Sequence, residues 1–438
     1  MVIGNAYSQL FFFNIIHFRF LKLNLISIKR KLGQEIIMSE RNLDFESVTN
    51  RYGTKSLKYD FKEERHLPDD VLPLWVADMD YRTSSYIEDA LVEQAKHAIF
   101  GYTEVDDDFL EALKNYIARH YNRVIEKEWF HKSPSVVFSI ATAVKAFTEE
   151  GGYVLINQPV YYPFMGTIKE NNRKIISSDL VNDGTGYYRI DFKDLEEKIK
   201  EYRPKLYLLC SPHNPVGRVW RKKELHKIGE LCKKYGIIVF SDEIHSDFVW
   251  GREFTTFTNA GEGYDRFCIT SVSPSKTFNL AGLQVSGIIT SNKEIYNRFH
   301  AAYSAAGFSQ INGMGIIACQ AAYTYGEEWL EGVKKAIESN LDYAIEYLSE
   351  NLPEVKVRKP EGTYLLWLDF NYYDFTDREL NDIIVHDAKL WLDRGNIFGR
   401  VGSGFQRINV ACPRKTLEDA LERLVNTFKI CEQKRKIS

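Results

Sequence analysis

One lysine, Lys276, stands in a small and mostly uncharged stretch, SVSPSKTFNLAGL, between two strand-like runs. An ammonium group that is buried without a partner either costs several kcal/mol of desolvation or loses its proton more readily. A lysine with a lowered pKa is a nucleophile and a base near neutral pH. The stretch therefore indicates a reactive lysine, with a solvated loop lysine as the plain alternative.

Two further polar residues follow strand-like runs. Asp242 closes IIVFSD, and a carboxylate buried behind such a run needs a cationic partner. Asn214 lies in CSPHNPVG, where the Asn-Pro pair marks a tight turn that would fix the direction of the amide. A helix cap and an ordinary turn are the alternatives. In an open parallel sheet, however, ligands bind beyond the carboxyl ends of the strands, so these residues and Lys276 are expected to share a site.

Together the three side chains suit a ligand with a cationic ring nitrogen, a phenolic oxygen and an aldehyde. Pyridoxal phosphate has these groups, and its catalysis needs a Schiff-base lysine and an acid at the ring nitrogen. Its phosphate would bind at SPSVVFSIATAVKAF, where Val136 and Val137 begin a helix with free amide groups. Ser273 could add a hydroxyl to the phosphate. Tyr161, just past the strand at 153, could stack on the ring, although a core or rim tyrosine is equally consistent.

Several longer motifs resemble a known family. They are NRYGTKSLKYD, LPLWVADMDY, CSPHNPVGRVW, SDEIH, SPSKTFNLAGL and RINVACP. They look like the fold-type I pyridoxal-phosphate enzymes of the class I/II aminotransferase superfamily, and most like its branch of cystathionine β-lyases, or C–S lyases. The resemblance extends in consistent order from about residue 40 to the end.

The resemblance implies a role for each candidate residue. Lys276 resembles the Schiff-base lysine, and Asp242 the partner of the pyridine nitrogen. Asn214 resembles the donor to the phenolic oxygen, and Tyr161 the ring-stacking aromatic. Arg407 in QRINVACP resembles the arginine that binds the substrate α-carboxylate, a task suited to a planar, two-pronged donor.

Four other positions bear on the branch and the assembly. Tyr102 in FGYTE resembles a tyrosine that reaches the phosphate of the neighbouring subunit, which implies a homodimer with shared active sites. Gln284 stands where many aminotransferases have a phosphate-binding arginine, and His245, at the cofactor, stands where they have a tyrosine. Both departures resemble the lyase branch. Ser135 stands where the family usually has glycine.

The implied reaction is elimination of a thiolate from L-cystathionine and related cysteine S-conjugates, which leaves pyruvate, ammonia and a thiol. Two alternatives remain open at this point. One is an aminotransferase on the same scaffold, and the other is a lyase that also binds a transcription regulator.

The elements that would position these residues are predicted to form an α/β fold. From about residue 85 to 325, apolar strand-like runs alternate with amphipathic helical runs, which predicts a mainly parallel, doubly wound sheet. We expect a large cofactor-binding domain over residues 86–325 and a smaller α+β domain over 326–438, joined by the segment 38–85. Residues 1–37 are expected to be an upstream extension outside the fold, with translation beginning at Met38. Their apolar run is too interrupted for a spanning helix, and a membrane-surface anchor is the competing interpretation.

Composition limits the partners. The 438 residues include 57 basic and 60 acidic side chains, a formal net charge of -3, which favours neither nucleic acid nor an anionic membrane. A small molecule is therefore the expected partner. The six cysteines lack CxxC pairing, so we expect neither a metal site nor disulfides, and a reducing, cytoplasmic location.

Overall fold

The computed structural model describes residues 40–437 of the chain, so the expected extension over residues 1–37 lies outside the described residues. Within the described part, no helix combines the length and the apolarity that crossing a bilayer requires. The internal contacts group Asn42–Ser438 as one unit. The boundary expected between residues 325 and 326 therefore stays a prediction.

Fourteen strands lie in the described residues. In chain order they are β1 (Leu72–Pro73), β2 (Phe130–Ser133), β3 (Tyr153–Ile156), β4 (Lys174–Ser177), β5 (Val181–Asn182), β6 (Tyr188–Arg189), β7 (Leu206–Cys210), β8 (Ile238–Asp242), β9 (Cys268–Val272), β10 (Ser286–Ile289), β11 (Leu365–Asp369), β12 (Leu390–Trp391), β13 (Asp393–Arg394) and β14 (Phe405–Asn409).

Twelve α-helices accompany these strands in the described part of the chain. They are α1 (Ser85–His97), α2 (Asp107–Tyr121), α3 (Val136–Phe147), α4 (Tyr162–Glu170), α5 (Phe192–Tyr202), α6 (Lys222–Tyr235), α7 (Pro274–Thr277), α8 (Lys293–Ala305), α9 (Gly313–Tyr325), α10 (Glu327–Asn351), α11 (Asp377–Asp382) and α12 (Arg414–Ile437). Short 3-10 and π segments connect some of them.

The central sheet has seven strands in the order β2-β10-β9-β8-β7-β3-β4. The neighbours from β9 to β4 are parallel, and β10 is antiparallel to both of its neighbours. The mainly parallel α/β sheet predicted from the sequence is thereby confirmed. The strand order reverses between β3 and β7, and this reversal opens a crevice at their carboxyl ends.

Both faces of the sheet are buried, as is usual for parallel strands. On β7, Leu206 and Leu208 pack into one apolar cluster, which includes side chains of α3, α4 and α8. The alternate residues Tyr207 and Leu209 pack into a second cluster with side chains of α5 and α6. The two-residue period of the strand therefore places helices on both faces.

A three-stranded antiparallel sheet, β11-β14-β13, follows the long helix α10. Strand β1 pairs in parallel with β12 and leads directly into the segment Trp75–Asp80. This segment is held at one end by a hydrogen bond of 2.9 Å from the Leu74 amide to the Trp391 carbonyl. At the other end, the Asp80 amide donates to the Ala411 carbonyl at 2.9 Å. The segment thus lies in a fixed position between β12 and the residues after β14.

The close packing of Gly229 in α6 against Tyr264 can be tested by substitution. A Cβ atom at this position would lie 2.1 Å from the ring of Tyr264, whereas a Cβ at Gly166 of α4 would meet its nearest atom, a Glu170 oxygen, at 3.7 Å. We expect Gly229→Ala to lower the free energy of unfolding by about 1–3 kcal/mol through overpacking. Gly166→Ala, the matched control, should raise it by up to about 1 kcal/mol through helix propensity. Denaturant unfolding of the two variants checks this, and equal stabilities would contradict the packing of Tyr264.

Candidate functional site

The ends of four parallel strands place most of the predicted site residues at one edge of the sheet. Asp242 is the last residue of β8, and Asn214 follows β7 by four residues. Lys276 lies in α7, directly after β9, and Tyr161 precedes α4 in the loop after β3. Because β3 and β7 flank the strand-order reversal, these side chains line the crevice where a ligand of an open sheet binds.

Lys276 is partly buried and is not a solvated loop lysine. Its Nζ donates a 2.7 Å hydrogen bond to the carbonyl of Ala77, which also accepts the Tyr364 hydroxyl at 2.9 Å. Burial lowers the pKa of Lys276 to about 8, with Asp78 acting against this shift and Arg407 adding to it. A substantial fraction of the amine is therefore neutral, and so reactive, near neutral pH.

The carboxylate of Asp242 is buried and lacks a cationic partner. Only 4% of its surface is exposed, and the Ser271 hydroxyl donates to it at 2.8 Å. Among the described residues no cationic nitrogen lies within 4.0 Å of it. Burial raises the pKa of Asp242 to about 6. A ligand that brings a positive charge to this point would offset the desolvation of the carboxylate.

Arg407 is 2% exposed, and its guanidinium is fixed from several directions. It donates to Asn214 Oδ1 at 2.8 Å and to the Trp75 carbonyl at 2.8 Å, and it forms an ion pair with Asp393. Its Nε is buried and has no hydrogen-bond partner. Since an unpaired buried donor is costly, this N–H favours an acceptor that a ligand would bring. The bond to Arg407 also orients the Asn214 amide, so that Nδ2 remains available to donate.

Further buried polar atoms near the strand ends of the described chain have no hydrogen-bond partner. They include Nδ1 of His245 and Oγ of Ser211. Burial lowers the pKa of His245 well below its usual value, and the positive charges of Lys276 and Arg407 add to this shift. The imidazole is therefore neutral at physiological pH, with its ring 5.7 Å from that of Tyr364.

The residues predicted to bind the phosphate lie at the start of α3. Ser135 is the N-cap, and its side chain accepts from the Phe138 amide, so the amides of Val136 and Val137 begin the helix without intrahelical acceptors. Ser135 has φ -157°, an extended conformation that any residue adopts, so serine in place of the family's glycine causes no strain here.

Ser273 and Tyr102 are placed differently from the other predicted residues. The Ser273 hydroxyl donates to the Val285 carbonyl at 2.9 Å and accepts from the Ser275 amide at 3.2 Å. A phosphate contact from Ser273 would therefore replace an existing hydrogen bond. Tyr102 is 95% exposed, and the structure does not bring it into the site of its own chain.

Sequence reasoning missed several residues that support the site. Asp393 pairs with Arg407, and its signal was an acid inside the apolar run LWLDRG, where a buried carboxylate needs a cation. Asp247 accepts hydrogen bonds from Thr277 at 2.5 Å and from Tyr121 at 2.6 Å. Because Thr277 follows Lys276 directly, Asp247 anchors the turn that carries the lysine. Only the acid-rich motif SDEIHSDF hinted at this residue.

The residues present fit pyridoxal phosphate. The site holds a reactive amine, a buried carboxylate that needs a cation, a fixed amide donor and a helix start with free N–H groups. Each matches one functional group of that cofactor. The unpartnered Nε of Arg407 adds a place for a carboxylate.

Comparisons with known proteins found similar sequences over most of the chain. A sequence model of the family "Aminotransferase class I and II" matches residues 69–424. Cystathionine beta-lyase PatB of Bacillus subtilis strain 168 is 39% identical over 383 residues, which cover 87% of this chain and 99% of that protein. Protein MalY of Escherichia coli K12 is 32% identical over 389 residues, or 88% of this chain and 99% of that protein.

Solved structures extend the likeness to the fold. Cystalysin from Treponema denticola, which contains a pyridoxal 5'-phosphate cofactor, matches with a TM-score of 0.85 at 36% identity, covering 89% of this chain and 99% of that chain. The PLP-bound C-S lyase from Staphylococcus hominis matches with a TM-score of 0.82 at 30% identity, covering 90% and 98%. The expected fold and the expected cofactor, pyridoxal phosphate, are both confirmed.

The buried environment of Lys276 predicts that chemical labelling of its amine depends on pH differently from that of an exposed lysine. In the cofactor-free protein, reductive methylation of Lys276 should rise with pH around a midpoint near 8, because the neutral amine reacts and burial lowers its pKa. A peptide with the sequence SPSKTF serves as the control, with a midpoint at about 10.4. Mass spectrometry of the digested protein measures the labelling. A midpoint for Lys276 equal to that of the peptide would contradict the buried placement.

Proposed function

We propose that this chain, which belongs to the class I and II aminotransferase family, cleaves L-cystathionine and related cysteine S-conjugates to pyruvate, ammonia and a thiol. It is a pyridoxal-phosphate-dependent C–S β-lyase. The observation that carries the proposal is the buried amine of Lys276, whose pKa is lowered to about 8 and which interacts electrostatically with Asp78, Arg407 and Asp242. One amine so placed can both remove and return protons.

The proposal assigns cofactor contacts residue by residue. When bound, pyridoxal phosphate supplies an electron sink for the negative charge that develops at the substrate Cα. Asp242 would keep the ring nitrogen protonated, and Asn214 Nδ2 would donate to the phenolic oxygen. The amides of Val136 and Val137 would bind the phosphate, and Tyr161 would pack on the ring.

Arg407 and Lys276 are proposed to bind the substrate and to transfer its protons. Arg407 holds the α-carboxylate through the donors that Asp393 and Asn214 leave free, and this fixes the Cα–H bond relative to Lys276. The neutral amine of Lys276 takes the Cα proton, after which the thiolate leaves from Cβ. His245 stays uncharged in this environment, so it adds no positive charge beside Lys276.

A homodimer is part of the same proposal. The loop before α2 exposes three aromatic or aliphatic side chains close together in sequence: Ile99 at 68%, Phe100 at 70% and Tyr102 at 95%. Large apolar side chains grouped in this way are typical of an interaction surface. We propose that this loop meets a second copy of the chain, with Tyr102 at the phosphate of the partner's site.

A cytoplasmic location also belongs to the proposal. All six cysteines in the described residues are free thiols, and five of them are buried. Free thiols in a protein of this size are typical of reducing compartments.

Arg407→Lys should impair substrate binding far more than cofactor binding. A lysine supplies a point charge and cannot reproduce the planar fork, so we expect KM for L-cystathionine to rise about tenfold or more. Steady-state kinetics and a spectroscopic cofactor titration measure the two effects. Arg414→Lys is the matched control, because Arg414 bonds Asn340 and Ser339 and lines no part of the site. An unchanged KM for Arg407→Lys would move the carboxylate site elsewhere.

The reaction type is decided by one assay with and without an α-keto acid acceptor. We expect L-cystathionine to yield pyruvate, ammonia and homocysteine without the acceptor, because elimination regenerates the starting enzyme in each turnover. Lys276→Ala should abolish this activity and serves as the control for background chemistry. Turnover that depends on α-ketoglutarate, with glutamate as a product, would instead establish an aminotransferase. Absence of both reactions on a panel of amino acids would favour a binding role.

A further inference from the structure

A cavity of about 620 Å³ lies directly beside Lys276. Its lining includes Lys276 and Gln284 together with the charged residues Arg51, Lys55 and Asp78. The α-carboxylate site at Arg407 is not part of this lining. The cavity is therefore a second region, next to the reactive amine, that none of the roles proposed above uses.

A rigid turn presents Lys55 to the cavity. The carboxylate of Asp60 accepts the amides of Gly53 at 3.0 Å and Ser56 at 2.9 Å, and the Thr54 hydroxyl donates to the Arg51 carbonyl at 2.6 Å. These bonds hold Lys55 in a left-handed conformation with φ 62°. In the part of the chain that the structure describes, no carboxylate lies within 4.0 Å of the Lys55 ammonium. The turn thus places an unpaired cation at the edge of the cavity.

Asp78 supplies a carboxylate to the lining of the same cavity. Asp80 shares the cations Arg51 and Lys58 with Asp78. It is 5% exposed and accepts hydrogen bonds from Arg51 at 2.6 Å, Lys58 at 2.8 Å and Tyr59 at 3.0 Å. Asp78 is 20% exposed, and its ion pairs are with Arg51 at 2.7 Å and with Lys58 at 3.5 Å. Asp80 is thus enclosed by its partners, whereas Asp78 keeps an accessible face toward the cavity.

The charge of Asp78 acts close to the reaction centre. Burial raises the pKa of this carboxyl group, but Arg51, Lys58 and Lys276 together hold it below its usual value, so the group is ionised at neutral pH. The negative charge of Asp78 in turn raises the pKa of Lys276 and so opposes the effect of burial. The cavity therefore contains, beside the reacting lysine, one anion, Asp78, and one cation without a carboxylate partner, Lys55.

We propose that this cavity binds the amino-acid head of the departing thiol, with Asp78 accepting from its ammonium group and Lys55 pairing with its carboxylate. The inference rests on the proposed function and deepens it. The thiol half of L-cystathionine carries one charge of each sign at its far end, which is complementary to these two side chains. The enzyme would accordingly select S-conjugates whose leaving group is a zwitterionic amino acid over those with a plain alkyl group.

The test compares four S-conjugates of L-cysteine that differ only at the far end. L-cystathionine carries both charged groups, the S-carboxypropyl analogue lacks the amine, the S-aminopropyl analogue lacks the carboxylate, and S-propyl-L-cysteine lacks both. Pyruvate release by the holoenzyme gives kcat/KM for each. The quantity that matters is the ratio of each value to that for S-propyl-L-cysteine, because this ratio cancels any effect on the elimination itself.

Two variants separate the two contacts. Asp78→Asn should lower the ratio about tenfold or more for the two substrates with an amine, because a hydrogen bond between charged groups is lost. Lys55→Asn should lower it about two- to fivefold for the two substrates with a carboxylate, as expected for an exposed pair. Asparagine tolerates the left-handed conformation of Lys55. Lys389→Asn is the matched control, since Lys389 has φ 54° and does not line the cavity.

The outcomes distinguish this inference from the proposed function. If the wild-type enzyme cleaves all four substrates equally well, or if Lys55→Asn leaves every ratio at the wild-type value, the subsite is wrong and the lyase stands. If S-propyl-L-cysteine is cleaved and L-cystathionine is not, the proposed substrate fails and the subsite fails with it. Should Asp78→Asn not fold, the Lys55→Asn ratios and the wild-type series still decide the matter.

Discussion

The hydrogen bond from Lys276 to the Ala77 carbonyl is the interaction on which the site depends. A buried amine needs an acceptor, yet a close carboxylate would keep it protonated and unreactive. A neutral carbonyl satisfies the donor at 2.7 Å without that effect. The requirement extends to the backbone around Ala77, where Asn409 donates to the carbonyls of Val76 at 2.7 Å and Asp78 at 2.6 Å. The hydrogen bonds from Asn409 on either side of Ala77 thus hold the carbonyl that accepts from Lys276.

Some charged side chains around the site form ion pairs with other side chains, whereas others lack an oppositely charged partner until a ligand binds. Arg407 has Asp393 as its permanent partner, and Arg51 and Lys58 are shared by Asp78 and Asp80. Asp242 has only neutral donors. Burial raises the pKa of Asp242 to about 6, so without a ligand this carboxyl group is protonated more readily than an exposed aspartate. The ligand's cation then completes the site.

The strand ends were predictable from the apolar runs. The candidate lysine and the class of cofactor were predictable from the polar residues that follow these runs, together with the resemblance of several longer motifs to a known family. The sequence did not reveal partners that are distant in the chain. The Lys276–Ala77 bond joins residues 199 positions apart, and Arg407–Asn214 joins residues 193 apart. Contacts of this kind arise only when strands and loops assemble. Tyr102 shows the same limit, since its single-chain environment is solvent.

The alternation of side chains along β7 makes the position of the site depend on the strand register. Leu206 and Leu208 face one helix layer and Tyr207 and Leu209 the other, and the paired strand β8 aligns Cys210 with Asp242. A slip of one residue between neighbouring strands would send every side chain to the wrong layer. The same slip would displace Asp242 from the strand end where it meets the crevice. Misaligned forms that lose the active site therefore also lose their core and expose apolar surface, so activity and solubility depend on the same strand register.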